Sequence, residues 1–444
     1  MKPSIPDSKP ARILSWMVAV ILCLLPLHAL LTTWAASNFG HPDVFRIWKE
    51  ILIILSLPLV AWLIVKNPGL KKWLAKSWIV RLIVLYLLIQ LAWGVWALKT
   101  NRVNDAALVY GLGINLRFFG FFIVCLVAGA TAPMLTRNWP KILLWPAALV
   151  VAFGLAQHFI LPDNFLRHFG YGSNTIPAYQ TVDANSHYVR VQSTLRGANP
   201  LGAYLILVIP ALLLKLRKYL YLWLASLSAA LVVLFYSYSR SALVGLALAI
   251  ASFGWILIKR PTAKWITAGI LSMLLISGLY LGFRSNQRIQ DIFLHTSSSS
   301  TSAASSNEVR NAALKDSFRD VTRQPLGRGP GTAGPASLRN NHPARIAEDY
   351  YLQIAQEVGV IGLTIFLAIL ALTVRQLWLA RQDMLPRLLL ASLVGISFVN
   401  LVSHAWADDT LSLLWWGLAG IALAPAILKA NKHKVNEKTQ QKPA

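Results

Sequence analysis

The chain has 444 residues, 56% of them hydrophobic and 13% charged, with 42 Lys and Arg against 17 Asp and Glu. A helix rises about 1.5 Å per residue, so roughly 20 apolar residues cross a bilayer core, and apolar runs of that length recur throughout. A soluble globular domain is excluded; the formal charge of +25 reads as membrane topology and not as a nucleic-acid footprint, and Cys23 and Cys125, both in apolar runs, indicate neither a disulfide scaffold nor a metal cluster.

The pattern predicts an all-α integral membrane protein of about twelve spans. They fall near residues 14–34, 50–65, 79–98, 114–130, 142–160, 201–214, 220–237, 241–258, 265–283, 351–374, 388–404 and 411–428, with a large extracytoplasmic loop before the tenth. The first stretch reads as an uncleaved signal-anchor. The seventh and eighth spans meet at Ser239 and Arg240 with almost no loop. An even number of crossings puts both termini on one side, whose tails and loops carry 24 of the 42 basic residues. By the positive-inside rule that side is cytoplasmic. The last stretch, KANKHKVNEKTQQKPA, reads as a disordered basic anchor at an anionic membrane surface.

The kind of cation differs between faces. Inside, 16 of 24 are Lys; outside, 15 of 18 are Arg, and 14 of the 17 acids are outside too. Arginine offers a fixed fork of donors that suits phosphate and carboxylate, so the outer face is built to hold an anion.

Residues 161–200 and 284–350 supply most of that face. In the first, Arg190 and Arg196 precede Asn199-Pro200, a start signal for the sixth span. Arg240 stands at the outer junction of the next two spans, where it either snorkels to the interface or faces a wet cavity; with Arg190 and Arg196 in the same layer, an anion site is the better reading. In the second, SSSSTSAASS reads as a flexible flap or linker, and Val309, Ala313, Leu314 and Phe318 predict an amphipathic helix on the membrane surface that ends before Pro325. The GRGPG that follows is a tight turn able to cradle phosphate, with Arg328 beside it and Arg323 just upstream.

The stretch AEDYYLQIAQEVGVIGL, residues 347–363, puts two acids before an apolar helix. At 3.6 residues per turn, Glu348, Leu352, Ala355, Gly359 and Gly362 share one face, packed inward through their small residues, and Glu348 points over the bundle interior. Two readings stand for Glu348 and Asp349: helix caps that favour the dipole, or a general base beside the arginines. Glu357 is a further acid deeper in the same helix, paired with an arginine or beside a wet cavity. Trp406, Trp415 and Trp416 read as an interfacial belt, with stacking on sugars as the alternative. Asp408 and Asp409 add a polar contact or cap the last helix.

These stretches resemble the O-antigen ligase and O-antigen polymerase superfamily, most strongly over residues 185–375. Arg190 to Pro200 is similar to its arginine-to-Asn-Pro motif, with Ser193 where the family has glycine; Ser239-Arg240 and Gly327 to Gly331 match two further motifs. Glu348, Asp349, Gly359 and Gly362 match the ligase motif in spacing, but Glu348 stands where ligases carry their acceptor-activating histidine. A carboxylate can serve as that base, best with its pKa raised by partial burial, and His342, six residues upstream, is a substitute candidate. The resemblance implies a GT-C-like glycosyltransferase. It would move a glycan from an undecaprenyl-diphosphate donor to a hydroxyl of a lipid or glycan acceptor, inverting, outside the cytoplasm of a bacterial inner membrane. The implied catalytic residues are Glu348, Arg190 and Arg240, with Arg196, Asn199, Arg323, Arg328, Asp349 and His342 binding substrate. No metal or cofactor is expected. A ligase, a polymerase with the same chemistry, a lipid-linked sugar flippase and an adaptor are the alternatives. The expected divisions are residues 1–184, a ligase-related core at 185–375, the last two spans at 376–428, and a basic tail at 429–444.

Overall fold

The computed structural model describes residues 8–182, 185–215, 219–258 and 306–440. Its elements are almost all helical: α1 (Lys9–Leu24), α2 (His28–Phe39), α3 (Pro42–Arg46), α4 (Trp48–Lys66), α5 (Pro68–Lys76), α6 (Trp78–Lys99), α7 (Asp105–Thr131), α8 (Met134–Phe159), α9 (Ala198–Lys215), α10 (Leu220–Tyr236), α11 (Arg240–Leu257), α12 (Ser306–Arg323), α13 (Tyr350–Leu379), α14 (Met384–Asn400) and α15 (Asp409–Gln440). Eight helical runs among the described residues are long and apolar enough to cross a bilayer, α1 and α2 counting as one, and α10 and α14 are shorter apolar helices. The ninth expected span and all but the last residue of the SSSSTSAASS stretch lie outside the described residues.

Two details depart from expectation. The outer segment between α8 and α9 folds into an antiparallel hairpin, β1 (Gln180–Val182) with β2 (Asn185–Arg190), so the bundle is all-α but its outer face is not. The basic tail expected to be disordered continues α15 to Gln440; its Lys, Ala, Glu and Gln residues are adequate helix formers.

Proline explains the bend in the first span. Pro26 has no N–H to donate, so the run passes through a 3₁₀ turn at Leu25–Leu27. The freed carbonyls must find donors, since lipid offers none. Thr194 donates to the Pro26 carbonyl (2.7 Å) and Thr410 to that of Leu25 (3.1 Å), which ties two outer segments to the bend.

The centre is α7 against α15. Gly420 lets the backbones touch, for a Cβ there would sit 2.5 Å from the Phe122 carbonyl oxygen. Trp406, Trp415 and Trp416 are fully buried; Trp415 packs edge to face with Trp406 and Trp416, and Trp416 packs edge to face with Phe119 and Phe122 and stacks on Phe118. The expected interfacial belt is therefore a core cluster, because the turn before α15 folds in over the bundle. Elsewhere α11 crosses α14 where Gly245 meets Gly395. Gly395→Val would drive a side chain into the Gly245 carbonyl, and overpacking of this kind costs about 1–3 kcal/mol or more. Thermal unfolding in detergent should show a lower midpoint for this variant than for Gly395→Ala.

Candidate functional site

The site grows from the way α13 begins and breaks. Asp349 is its N-cap, accepting the Leu352 N–H at 2.9 Å, and burial raises its pKa against the pull of that bond. Glu348 therefore lies outside the helix, with a left-handed φ of 52°. The expected face shared by Glu348, Leu352, Ala355, Gly359 and Gly362 does not form, for a second reason as well. The helix breaks at Val358 and Gly359, where Gly359 has φ 71° and ψ −176°. Only glycine takes that conformation cheaply, and a Cβ there would overlap the carbonyls of Pro325 and Leu326.

The loop after α12 fills the break. Val360 N–H donates to the Pro325 carbonyl (2.9 Å), Arg328 N–H to Gln356 O (2.9 Å), and Gly329 N–H to Glu357 O (2.7 Å). The Glu357 carboxylate, fully buried, accepts from Gly331 N–H at 2.8 Å and from Asn115 of α7 at 2.7 Å. Glu357 thus pairs with neither an arginine nor a wet cavity. The GRGPG turn spends the N–H groups of Arg328, Gly329 and Gly331 on the broken helix and that of Gly327 on Gln324, so the expected phosphate cradle is a structural stitch.

That stitch brings α12 over the start of α13. Arg310 donates through Nε to Glu348 Oε2 at 2.7 Å, with Nη2 at the same distance. Arg345 and Gln356 reach Asp320 farther along, and Ser317 is buried while Phe318 is 63% exposed. The amphipathic helix forms, but it docks through polar groups and leaves Phe318 outside.

Arg190, at the end of β2, donates from Nε to the Ser237 carbonyl (2.9 Å) and from Nη2 to Asn199 Oδ1 (2.6 Å). Burial, and then the charge of Arg240, push its pKa down to about 10. Arg240 in turn is an electrostatic neighbour of Arg310. Arg190, Arg240, Arg310 and Glu348 form one connected group. Ser193, where the resemblance has glycine, also adopts a left-handed φ of 52°, held by bonds from its N–H to Gln157 (2.8 Å) and from its hydroxyl to Val150 O (2.6 Å).

A histidine joins them that sequence reasoning missed. His404, after α14, is an electrostatic neighbour of Glu348, Arg196 and Arg310, and its buried Nε2 has no hydrogen-bond partner among the described residues. Burial lowers its pKa to about 4, Glu348 opposing and the two arginines assisting. In the sequence it is the last residue of the expected span 388–404, and only its place just before Asp408 and Asp409 hints at another role. Arg310 was hidden in the polar face of α12.

Other expected residues go elsewhere. Arg196 pairs with Asp408 at 3.6 Å and lines a neighbouring cavity. His342 is clipped to the Asn101 carbonyl (2.7 Å), Arg328 to Gln324, and Arg323 is exposed without a partner among the described residues.

Fold and site together define a multispanning helical membrane protein with an arginine-rich polar centre on one face of the bundle. Residues 220–367, a third of the chain, match the family model described as O-Antigen ligase, and in this stretch the chain is similar to that family. The match takes in Arg240, Arg310 and Glu348 and stops short of Arg190, Arg196 and His404. No curated protein matches the chain.

The buried imidazole gives a pH prediction. A histidine at about 4 in the fold, against 6.5 unperturbed, binds its proton more tightly when unfolded. Its contribution to stability is full above about pH 6.5 and is lost as pH falls toward 4. Unfolding midpoints measured across this window should drop for the native protein, and less steeply for His404→Gln.

Proposed function

We propose that the chain is a membrane glycosyltransferase of the O-antigen ligase or polymerase type, acting on a lipid-diphosphate-linked glycan at the extracytoplasmic mouth of the bundle. The observation that carries this reading is the set of guanidinium groups beside Glu348. Arg190 has only neutral oxygens as partners among the described residues, so its charge is uncompensated. A diphosphate seated against Arg190 and Arg240 would complete it. Negative charge grows on that diphosphate as the anomeric C–O bond breaks, and fixed guanidinium groups stabilise it without reorganisation. No step in this scheme calls for a metal.

The acceptor hydroxyl attacks the anomeric carbon from the side opposite the diphosphate and inverts it. Its proton passes to Glu348, and lipid diphosphate leaves. Arg310 fixes which carboxylate oxygen faces the acceptor, for both of its contacts fall on Oε2. A second reading is favoured by the Nε2 of His404, buried without a hydrogen-bond partner among the described residues: the imidazole takes the proton and Glu348 stabilises the imidazolium. The face of the membrane follows from the basic tails and loops, which put both termini in the cytoplasm. A flippase reading has less support, because the charged residues crowd one surface rather than the midplane.

Turnover assayed with lipid-linked donor in reconstituted membranes separates these roles. Arg240→Ala should reduce kcat by about 10²–10³, the usual loss for one group that stabilises developing charge; normal turnover would refute the diphosphate assignment. Glu348→Gln should abolish turnover and keep donor binding if Glu348 is the base. If His404 is, His404→Gln is the deeper lesion. Mass spectrometry of surface glycans from a deletion strain then separates ligase from polymerase, by whether an acceptor goes unglycosylated or chains stay one repeat long.

A further inference from the structure

A second compartment adjoins the arginine group. It is a cavity of about 740 Å³ on the same face, walled by α2, α4, α7 and the start of α15, within the range of about 300–1,000 Å³ usual for small-ligand sites. Its charges are arranged differently. Lys49 contacts Glu50 (3.1 Å) and Asp409 (2.9 Å), and Arg117 contacts the same two acids at 3.7 and 3.9 Å. His28 lies 3.1 Å from Asp409, and Arg196 is 3.6 Å from Asp408. Arg339 lies over the Tyr110 ring at 4.2 Å, making a flat wall.

An anion entering here finds most cations already matched by carboxylates. A polyhydroxylated ligand finds the opposite, a floor of fixed donors and acceptors whose desolvation the ion pairs already offset, and a planar wall for an apolar sugar face. The Arg117 Nε, buried without a hydrogen-bond partner among the described residues, is a donor still to be satisfied. Arg196 connects the compartments, since it lines this cavity and is also an electrostatic neighbour of His404, as Glu348 is. We infer that the cavity walled by Tyr110, Arg339, Arg117 and Asp409 is the acceptor compartment, binding the sugar hydroxyls of a glycan and presenting one of them past Arg196 to Glu348 and His404. This rests on the glycosyltransferase reading, and it moves Arg196 from the diphosphate to the acceptor.

Photo-crosslinking in intact cells tests it. A benzophenone amino acid replaces Val109, which is 70% exposed and lines the cavity with no polar group, and in a second strain it replaces Tyr188, two residues from Arg190. Mild acid then splits sugar–diphosphate bonds, and the adducts are weighed. The expected result is a sugar left on residue 109 and a polyprenyl phosphate left on residue 188. Arg339→Ala should cut the residue 109 adduct about tenfold, equivalent to 1.4 kcal/mol, whereas Arg240→Ala should leave it in place. A polyprenyl phosphate or phospholipid on residue 109, no adduct there, or a sugar that vanishes with Arg240→Ala overturns the acceptor assignment. Absence of a lipid phosphate on residue 188 overturns the glycosyltransferase reading instead.

Discussion

A carbonyl set free inside a membrane helix has no water to turn to. The break of α13 at Val358 and Gly359 frees the Gln356 and Glu357 carbonyls, and the outer loop supplies the missing donors from Arg328 and Gly329. Glu357 then closes the stitch through Gly331 and Asn115. Each of these bonds is strong because its surroundings are dry, and each would be costly to leave unmade. The outer loop is thereby anchored through its backbone to the bundle. The rest of the site inherits that anchoring: α12 lies over α13, and Arg310 reaches Glu348, because the segment joining them cannot drift.

The second constraint is charge. Gathering guanidinium groups is unfavourable unless something compensates them, and the two compartments answer differently. In the cavity nearly every described cation has a carboxylate within 4.0 Å, while Arg190 is held by a carbonyl and an amide oxygen alone. Neutral acceptors fix the direction of a guanidinium without cancelling its field. Fixed direction with uncancelled charge is what electrostatic preorganisation requires. Asn199, expected to mark a helix start and to touch substrate, acts on Arg190 and holds it in place.

How much of this was legible in the residues follows from which signals are local. Of the twelve expected spans, apolar runs marked the eight that are long and apolar enough to cross among the described residues, since crossing a bilayer takes length and composition that the chain states outright; the arginine bias of the outer loops pointed to Arg190 and Arg240. The start of α13 was a one-residue question. Aspartate is the better cap of the two acids, and the structure caps with Asp349, which leaves Glu348 off the helix. Gly359 and Gly362 read as a packing stripe, and nothing in their spacing distinguishes close contact from a break. The tryptophans of the last turn have an interfacial composition but a buried position, because burial there depends on a turn that only tertiary packing folds inward. Arg310 and His404 needed contacts across 38 and more than 50 residues of chain, which no periodicity carries.

Backbone strain points to the same place. Five non-glycine residues adopt left-handed φ among the described residues, and three of them, Ser193, Tyr238 and Glu348, lie within three residues of Arg190 or Arg240 or bond directly to Arg310. Conformations of this kind cost on the order of 1–3 kcal/mol each and persist where surroundings over-determine them. Ser193 is the clearest case. The resembling family carries glycine at its position, and φ of 52° gives the physical reason, for glycine enters that region freely. Serine stays there by giving its N–H to Gln157 and its hydroxyl to Val150, so side-chain bonds do what the absent Cβ does elsewhere. Tyr238 likewise separates Ser237, whose carbonyl holds Arg190, from Ser239 and Arg240. The left-handed turn at Tyr238 thus lies between the carbonyl that holds Arg190 and the helix start that carries Arg240, so one short stretch of chain places both cations.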